Sequence, residues 1–105
     1  MPDTDTLIAQ MRAQGAGLRS LGYRVRFDLE DDEGSILLDG RGHAVELQAV
    51  EPDAEADTAL RLSAADLLKL IEGRLSPMLA FATGRLRVEG SKGVAMKLAA
   101  LLDDD

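Results

Sequence analysis

The residues that could do chemistry are few and scattered. His43 is the only histidine in 105 residues, and cysteine is absent. Without cysteine there is no disulfide, no thiolate nucleophile and no sulfur metal site. His43 follows "GRG" with neither an HExxH partner nor a Ser-His-Asp set, so it reads as a solvated histidine beside a turn. The carboxylates come in runs: Asp31, Asp32 and Glu33, then "EPDAEAD" (51 to 57), then Asp103, Asp104 and Asp105. Like charges in a run repel one another and stay solvated. None of the runs has the spaced oxygens and central glycine of a calcium loop. "EGSKG" (89 to 93) precedes a helix-like run, a position that suits an anion. It lacks the spacing of a nucleotide-binding loop, and Ser91 reads there as a helix cap. Binding of an anionic head group at this turn stays open. No set of acid, base, nucleophile and metal converges, so the sequence argues against catalysis.

What remains is apolar. Residues 75 to 102 concentrate Met78, Leu79, Phe81, Leu86, Val88, Val94, Met96, Leu98, Leu101 and Leu102. Two readings fit: these side chains are ordinary core, or they wall a lipid cavity. Methionine suits a wall, because its flexible thioether adapts to ligands of varied shape. Periodicity alone favours ordinary core.

The elements that must position these residues follow from the totals and the spacing. A chain of this length predicts a single domain over 1–105. Apolar residues make up 46% of it, enough for one core with little surplus. The formal net charge of −7 argues against nucleic-acid binding, which needs a basic surface. The N-terminus lacks a basic, apolar leader, and no apolar run approaches the roughly 20 residues that span a bilayer. The expectation is a soluble, cytoplasmic protein.

Residues 3 to 21 read as a helix. Asp3 and Thr4 are candidate N-caps, Leu7, Ile8, Met11, Leu18 and Leu21 lie near one face, and Gly15 and Gly17 weaken it. The period then changes to two. In "YRVRFDLE", Tyr23, Val25, Phe27 and Leu29 point one way, and the charged residues between them point the other. "SILLD", "HAVELQAV" and "TALRL" predict three more strands, with Pro52 ending the third. "SAADLLKLIEG" predicts a helix: Ser63 and Asp66 form a capping box, Leu67, Leu70 and Ile71 face inward, and Gly73 stops it. Pro77 opens a short helix. "RLRVE" is a fifth strand, and Ser91 caps a last helix with Met96 off its buried stripe. The order is α, ββββ, αα, β, α. One face of the sheet should be wet and the other covered by helices.

The stretch "ADTALRLSAADLLKLIEGRLSPMLAFATGRLRVEGSKGVAMKLAALL" resembles the sterol carrier protein type-2 domain family. The resemblance rests on Ala56 and Asp57, Asp66 to Leu68, Gly73 and Arg74, Pro77, Ala80 and Phe81, Gly84 to Leu86, Gly90, and Ala95 to Leu98. It covers about the last 50 residues. Earlier residues match only in layout, and a tryptophan common in the family's first strand region is replaced by no nearer aromatics than Tyr23 and Phe27. The resemblance implies an α+β fold: a five-stranded, mostly antiparallel sheet, its first strand central beside the fourth. Helices cover one face, and an apolar cavity lies between.

The resemblance also implies non-catalytic binding of a fatty acid, fatty acyl-CoA, sterol-like or isoprenoid ligand, with no cofactor and no metal. Phe27, Met78, Leu79, Phe81, Leu86 and Val88 are the expected wall. Val94, Met96, Leu98, Leu101 and Leu102 belong to a closing C-terminal helix. The chain stops soon after that helix with no peroxisomal address, so a stand-alone bacterial carrier is expected, a monomer or weak homodimer. Transient membrane contact would use Arg85, Arg87, Lys92 and Lys97, opposed by Glu89 alone. The alternative is a protein-interaction or accessory module, for example one presenting isoprenoid quinone precursors to biosynthetic enzymes.

Overall fold

A computed structural model describes residues 4–13, 21–30, 34–42 and 45–103, with no side-chain detail at 4, 102 and 103. The expectations placed on Asp3, Gly15, Gly17, Leu18, the turn acids Asp31 to Glu33, His43, and Asp104 and Asp105 lie outside the described residues. The described elements are α1 (Thr4–Ala13), β1 (Arg24–Leu29), β2 (Ser35–Asp39), β3 (Glu46–Val50) and β4 (Thr58–Leu62). They continue with α2 (Ala64–Ile71), α3 (Pro77–Ala82), β5 (Arg87–Gly90) and α4 (Lys92–Asp103).

The sheet has five strands in the order β3-β2-β1-β4-β5. β1 is central; it pairs antiparallel with β2 and parallel with β4. The remaining pairs, β2 with β3 and β4 with β5, are antiparallel. This is the order and the α+β architecture that the resemblance implies.

Alternation decides which face is covered. Val25, Phe27 and Leu29 on β1, Ile36 and Leu38 on β2, Leu47 on β3 and Leu60 and Leu62 on β4 are all buried. Phe27 sits opposite Ile36 on one side and Leu60 on the other, so a period of two on each strand becomes one continuous apolar face. Helices cover it in two halves. α1 lays Leu7, Ile8 and Met11 on β2 and β3 and meets α2, which buries Ala64, Leu67, Leu70 and Ile71. α4 lies on β4 and β5, with α3 beside it. Each fully buried leucine contributes on the order of 2 kcal/mol.

The helix ends follow their punctuation. The Ser63 hydroxyl accepts from the Asp66 amide at 3.0 Å, and Gly73 takes a left-handed φ of 76° just beyond α2. Strand ends differ by a residue or more from the sequence reading. Tyr23 lies outside β1 and is 41% exposed rather than part of the core row, with Lys97 Nζ 5.3 Å from its ring centroid.

The other face is less wet than the alternation predicts. Leu37 and Ala59 are buried there, together with Asp28 and Ser35. Topology is the reason: the connection from edge strand β3 to β4 has to cross β2 and β1. Arg26 holds it by donating from Nη1 to the Ala54 carbonyl at 2.7 Å. Beneath it, the Arg26 Nε donates to Asp28 at 2.9 Å, and the Ser35 hydroxyl donates to the same carboxylate at 2.7 Å. The Asp57 carboxylate then receives the Arg24 amide at 2.8 Å, which fixes where β4 begins beside β1.

Candidate lipid cavity

The volume between the sheet and α4 is not filled. A cavity of about 300 Å³ lies there, bounded by Phe27, Leu60, Leu86 and Val88 from the sheet side and by residues of α2, α3 and α4 above it. Its floor is one cross-strand row. Phe27 on β1 aligns with Leu60 on β4, which aligns with Val88 on β5. Three neighbouring strands therefore present three large side chains at the same level, and the floor is closed.

The roof is built from two short-range decisions. Pro77 starts α3, where the Ser76 hydroxyl accepts from the Leu79 amide at 3.5 Å, and Pro77 and Ala80 are the buried residues that seat the helix. Gly84 turns the chain with φ near 80°, and the amides of Arg85 and Leu86 both return to the Ala80 carbonyl, at 2.9 and 3.1 Å. α3 is thereby fastened to the strand that follows, with Met78 and Phe81 one turn apart at the cavity edge. α4 starts at Ser91, whose hydroxyl accepts from the Val94 amide at 3.2 Å. Val94 and Leu98 anchor α4 in the core, while Ala95 and Ala99, four residues apart, face the cavity. Alanine fills little of the space between helix and sheet, and that shortfall is the cavity.

The lining is almost wholly apolar, and among the described residues Lys92 is the only charged one in it. Phe27, Leu60, Leu70 and Leu98 are buried in the depth of it, whereas Met78, Phe81 and Met96 are 51%, 49% and 55% exposed at its mouth. Such a site can hold hydrocarbon and exclude water. Among the described residues, no three His, Cys, Asp or Glu side chains gather where they could hold a metal ion. The Asp39–Arg41 pair lies away from the cavity, at the end of β2. There the Arg41 hydrogen bond holds the Asp39 carboxyl below its ordinary value against the opposing effect of burial, and Asp39 in turn raises Arg41.

Of the residues singled out in the sequence, Phe27, Met78, Phe81, Leu86, Val88, Met96 and Leu98 line this cavity. Leu79, Val94 and Leu101 do not. Leu79 is exposed, Val94 is core, and Leu101 packs on the core from its edge. The Leu102 side chain lies outside the described residues. Leu60, Leu70, Pro77, Lys92, Ala95 and Ala99 line the cavity without having been singled out for it. Ala95 and Ala99 carried a legible signal, two small residues one turn apart on α4. Leu60 carried none without the strand register.

Comparison with known proteins places this architecture. The profile of the SCP-2 sterol transfer family matches residues 5–103. The hydroxysteroid dehydrogenase-like protein 2 of Xenopus laevis is 32% identical over 75 residues, which are 71% of this chain but 15% of that protein. The solved UbiJ-SCP2 ubiquinone synthesis protein superposes with a TM-score of 0.67 at 23% identity, covering 98% of this chain and 93% of that one. The palmitated SCP2L2 of Aedes aegypti gives 0.70 at 16% identity, covering 98% and 96%. At those identities the two structures speak for the fold alone; the profile match, over nearly the whole chain, is what shows that this protein belongs to the SCP-2 sterol transfer family.

Proposed function

We propose that this protein is a non-catalytic lipid carrier that holds the hydrocarbon part of a fatty acid, fatty acyl-CoA, sterol-like or isoprenoid ligand in the cavity beneath α4. The observation that carries this reading is the unfilled apolar volume between Phe27, Leu60 and Val88 below and Ala95 and Ala99 above. An empty apolar space costs a small domain stability, and an apolar occupant removes that cost. About 300 Å³ is at the lower end of the volumes that hold small ligands, roughly 300–1,000 Å³.

The affinity follows from the chemistry. Each buried CH₂ gains about 0.8 kcal/mol, so a sixteen-carbon chain fully sheltered would gain roughly 13 kcal/mol. Lost ligand freedom and imperfect packing remove several kcal/mol of it. A micromolar dissociation constant, about −8 kcal/mol, is the result. With one cation and no hydrogen-bonding set in the lining, discrimination among chains is broad. The same reading makes the carrier cytoplasmic. The likeness to a ubiquinone synthesis protein supports a narrower version, in which the cavity presents an isoprenoid quinone precursor to an enzyme.

The test is native mass spectrometry of the protein as purified, followed by solvent extraction and a titration with cis-parinaric acid and with a polyprenol competitor. A lipid adduct that solvent removes, or probe uptake near micromolar, supports the reading. No adduct, and no uptake of either probe type at about a hundred times that concentration, overturns it.

A further inference from the structure

The five exposed large apolar side chains among the described residues are not scattered. Met78, Phe81 and Met96 form the rim of the cavity, and Leu79, 56% exposed, extends that surface along α3 without lining the cavity. Only Tyr23 lies elsewhere, and Lys97 covers its ring. Packing of the cavity explains the inner sides of the rim residues. It does not explain Leu79, which touches neither the cavity nor the core cluster.

Charge is divided in the same way. From Ser76 to Leu101, α3, β5 and most of α4 carry Arg85, Arg87, Lys92 and Lys97 against the single acid Glu89. Glu89 aligns with Ala59, on the face of the sheet turned away from the cavity, and Arg87 aligns there with Arg61. Lys92 is therefore in the lining itself, Arg85 directly precedes the lining residue Leu86 in the turn after α3, and the one acid between Ser76 and Leu101, Glu89, faces the other side of the sheet. Yet the whole chain has a formal net charge of −7. Asp103 ends α4 eleven residues beyond Lys92, about 16 Å along the helix axis. A negative body with a basic, greasy rim is oriented by an anionic surface: the body is repelled and the rim drawn in.

From this we infer that the cavity rim is a docking surface for an anionic lipid bilayer. Met78, Leu79, Phe81 and Met96 enter the headgroup layer, and Lys92 and Arg85 meet the lipid phosphates. The inference rests on the lipid-carrier reading for its purpose, since a mouth set into the bilayer lets a chain pass from membrane to cavity without crossing water. It stands on separate observations, however, and is measured separately.

The experiment is flotation of the full chain with vesicles of phosphatidylcholine alone and of phosphatidylcholine with a quarter phosphatidylglycerol, at low and high salt. Preferential binding to the anionic vesicles, lost at high salt, is the expected result. Leu79→Ser is the decisive variant, because its side chain is outside both the cavity and the core. It should lower partition onto anionic vesicles about tenfold, the cost of withholding one leucine from hydrocarbon. Uptake of cis-parinaric acid without vesicles, and the thermal midpoint, should not change. Arg85→Gln should lower vesicle partition about fivefold. Equal binding to both vesicle types, or none to either, overturns the inference even if probe uptake is normal. So does an unaffected Leu79→Ser variant, or sedimentation showing that Leu79→Ser separates a dimer, which would make the rim a contact between copies. Vesicle binding that survives when probe uptake fails supports the docking surface and removes only the carrier reading.

Discussion

Replacing Ala95 by leucine places three more carbons in the cavity, from the α4 side and directly above the Phe27–Leu60–Val88 row. Burying those carbons gains about 2.4 kcal/mol at 0.8 kcal/mol per carbon. Roughly 0.5–1 kcal/mol of that is lost to the rotamer entropy of the new side chain. A net gain of about 1.5–2 kcal/mol remains for the unliganded protein, which for a domain near this size raises the thermal midpoint by roughly 6–15 °C. The same carbons exclude about as much ligand. An affinity loss near 2 kcal/mol corresponds to about thirtyfold. Tm and affinity should therefore move in opposite directions, which a misfolded variant cannot imitate. Thermal unfolding without ligand and cis-parinaric acid titration measure the two quantities. A raised Tm with unchanged probe affinity would refute the assignment of this volume as the binding site. If Tm falls because leucine overfills the space, Ala95→Met, whose side chain bends to fit, should restore the opposed pattern.

Three further outcomes follow from local geometry. Gly90 has φ near 93°, and a Cβ there would stand 3.1 Å from the Asp57 carbonyl, so Gly90→Ala should cost about 1–3 kcal/mol in urea unfolding. Ser63→Ala removes the cap of α2 and should cost about 1 kcal/mol by the same measurement, with Ser63→Asp restoring most of it. Asp39→Asn tests the Arg41 hydrogen bond through pH. Because folding holds the Asp39 carboxyl below its ordinary 3.8, its contribution is complete above that value and is lost as pH falls through the lower folded-state value. The stability difference between wild type and Asp39→Asn should be present at pH 7, small because Arg41 is exposed, reduced by salt, and absent at strongly acid pH.

Much of the fold was legible because each element is specified within its own residues. Alternation in Val25, Phe27 and Leu29 places the inner row of β1. Ser63, Asp66 and Gly73 bound α2, and Pro77 opens α3. Asp57, one of the residues behind the family resemblance, proves to be a fastener: its carboxylate takes the Arg24 amide and aligns β4 with β1. The burial of Leu37, Ala59, Asp28 and Ser35 was not legible. Those four depend on where the connection held by Arg26 and Arg24, 28 and 33 residues further along the chain, crosses the sheet, a contact with no local signature.

The candidate site divides along the same line. Which side chains are greasy, flexible and near the end of the chain is written in the sequence, and so are Ala95 and Ala99 of α4 and the near absence of acid around them. Local chemistry suffices for these, since spacing of three, four or two residues sets what shares a face. Whether the faces meet or stand apart is another matter. That depends on the distance at which α3 and α4 come to rest above the sheet, and on the register that lines up Phe27, Leu60 and Val88. A helix carrying Val94 and Leu98 at the core and Ala95 and Ala99 toward β4 and β5 could equally have packed solid. Only the assembled layers decide that the space stays open, because a void belongs to no residue and exists only between them.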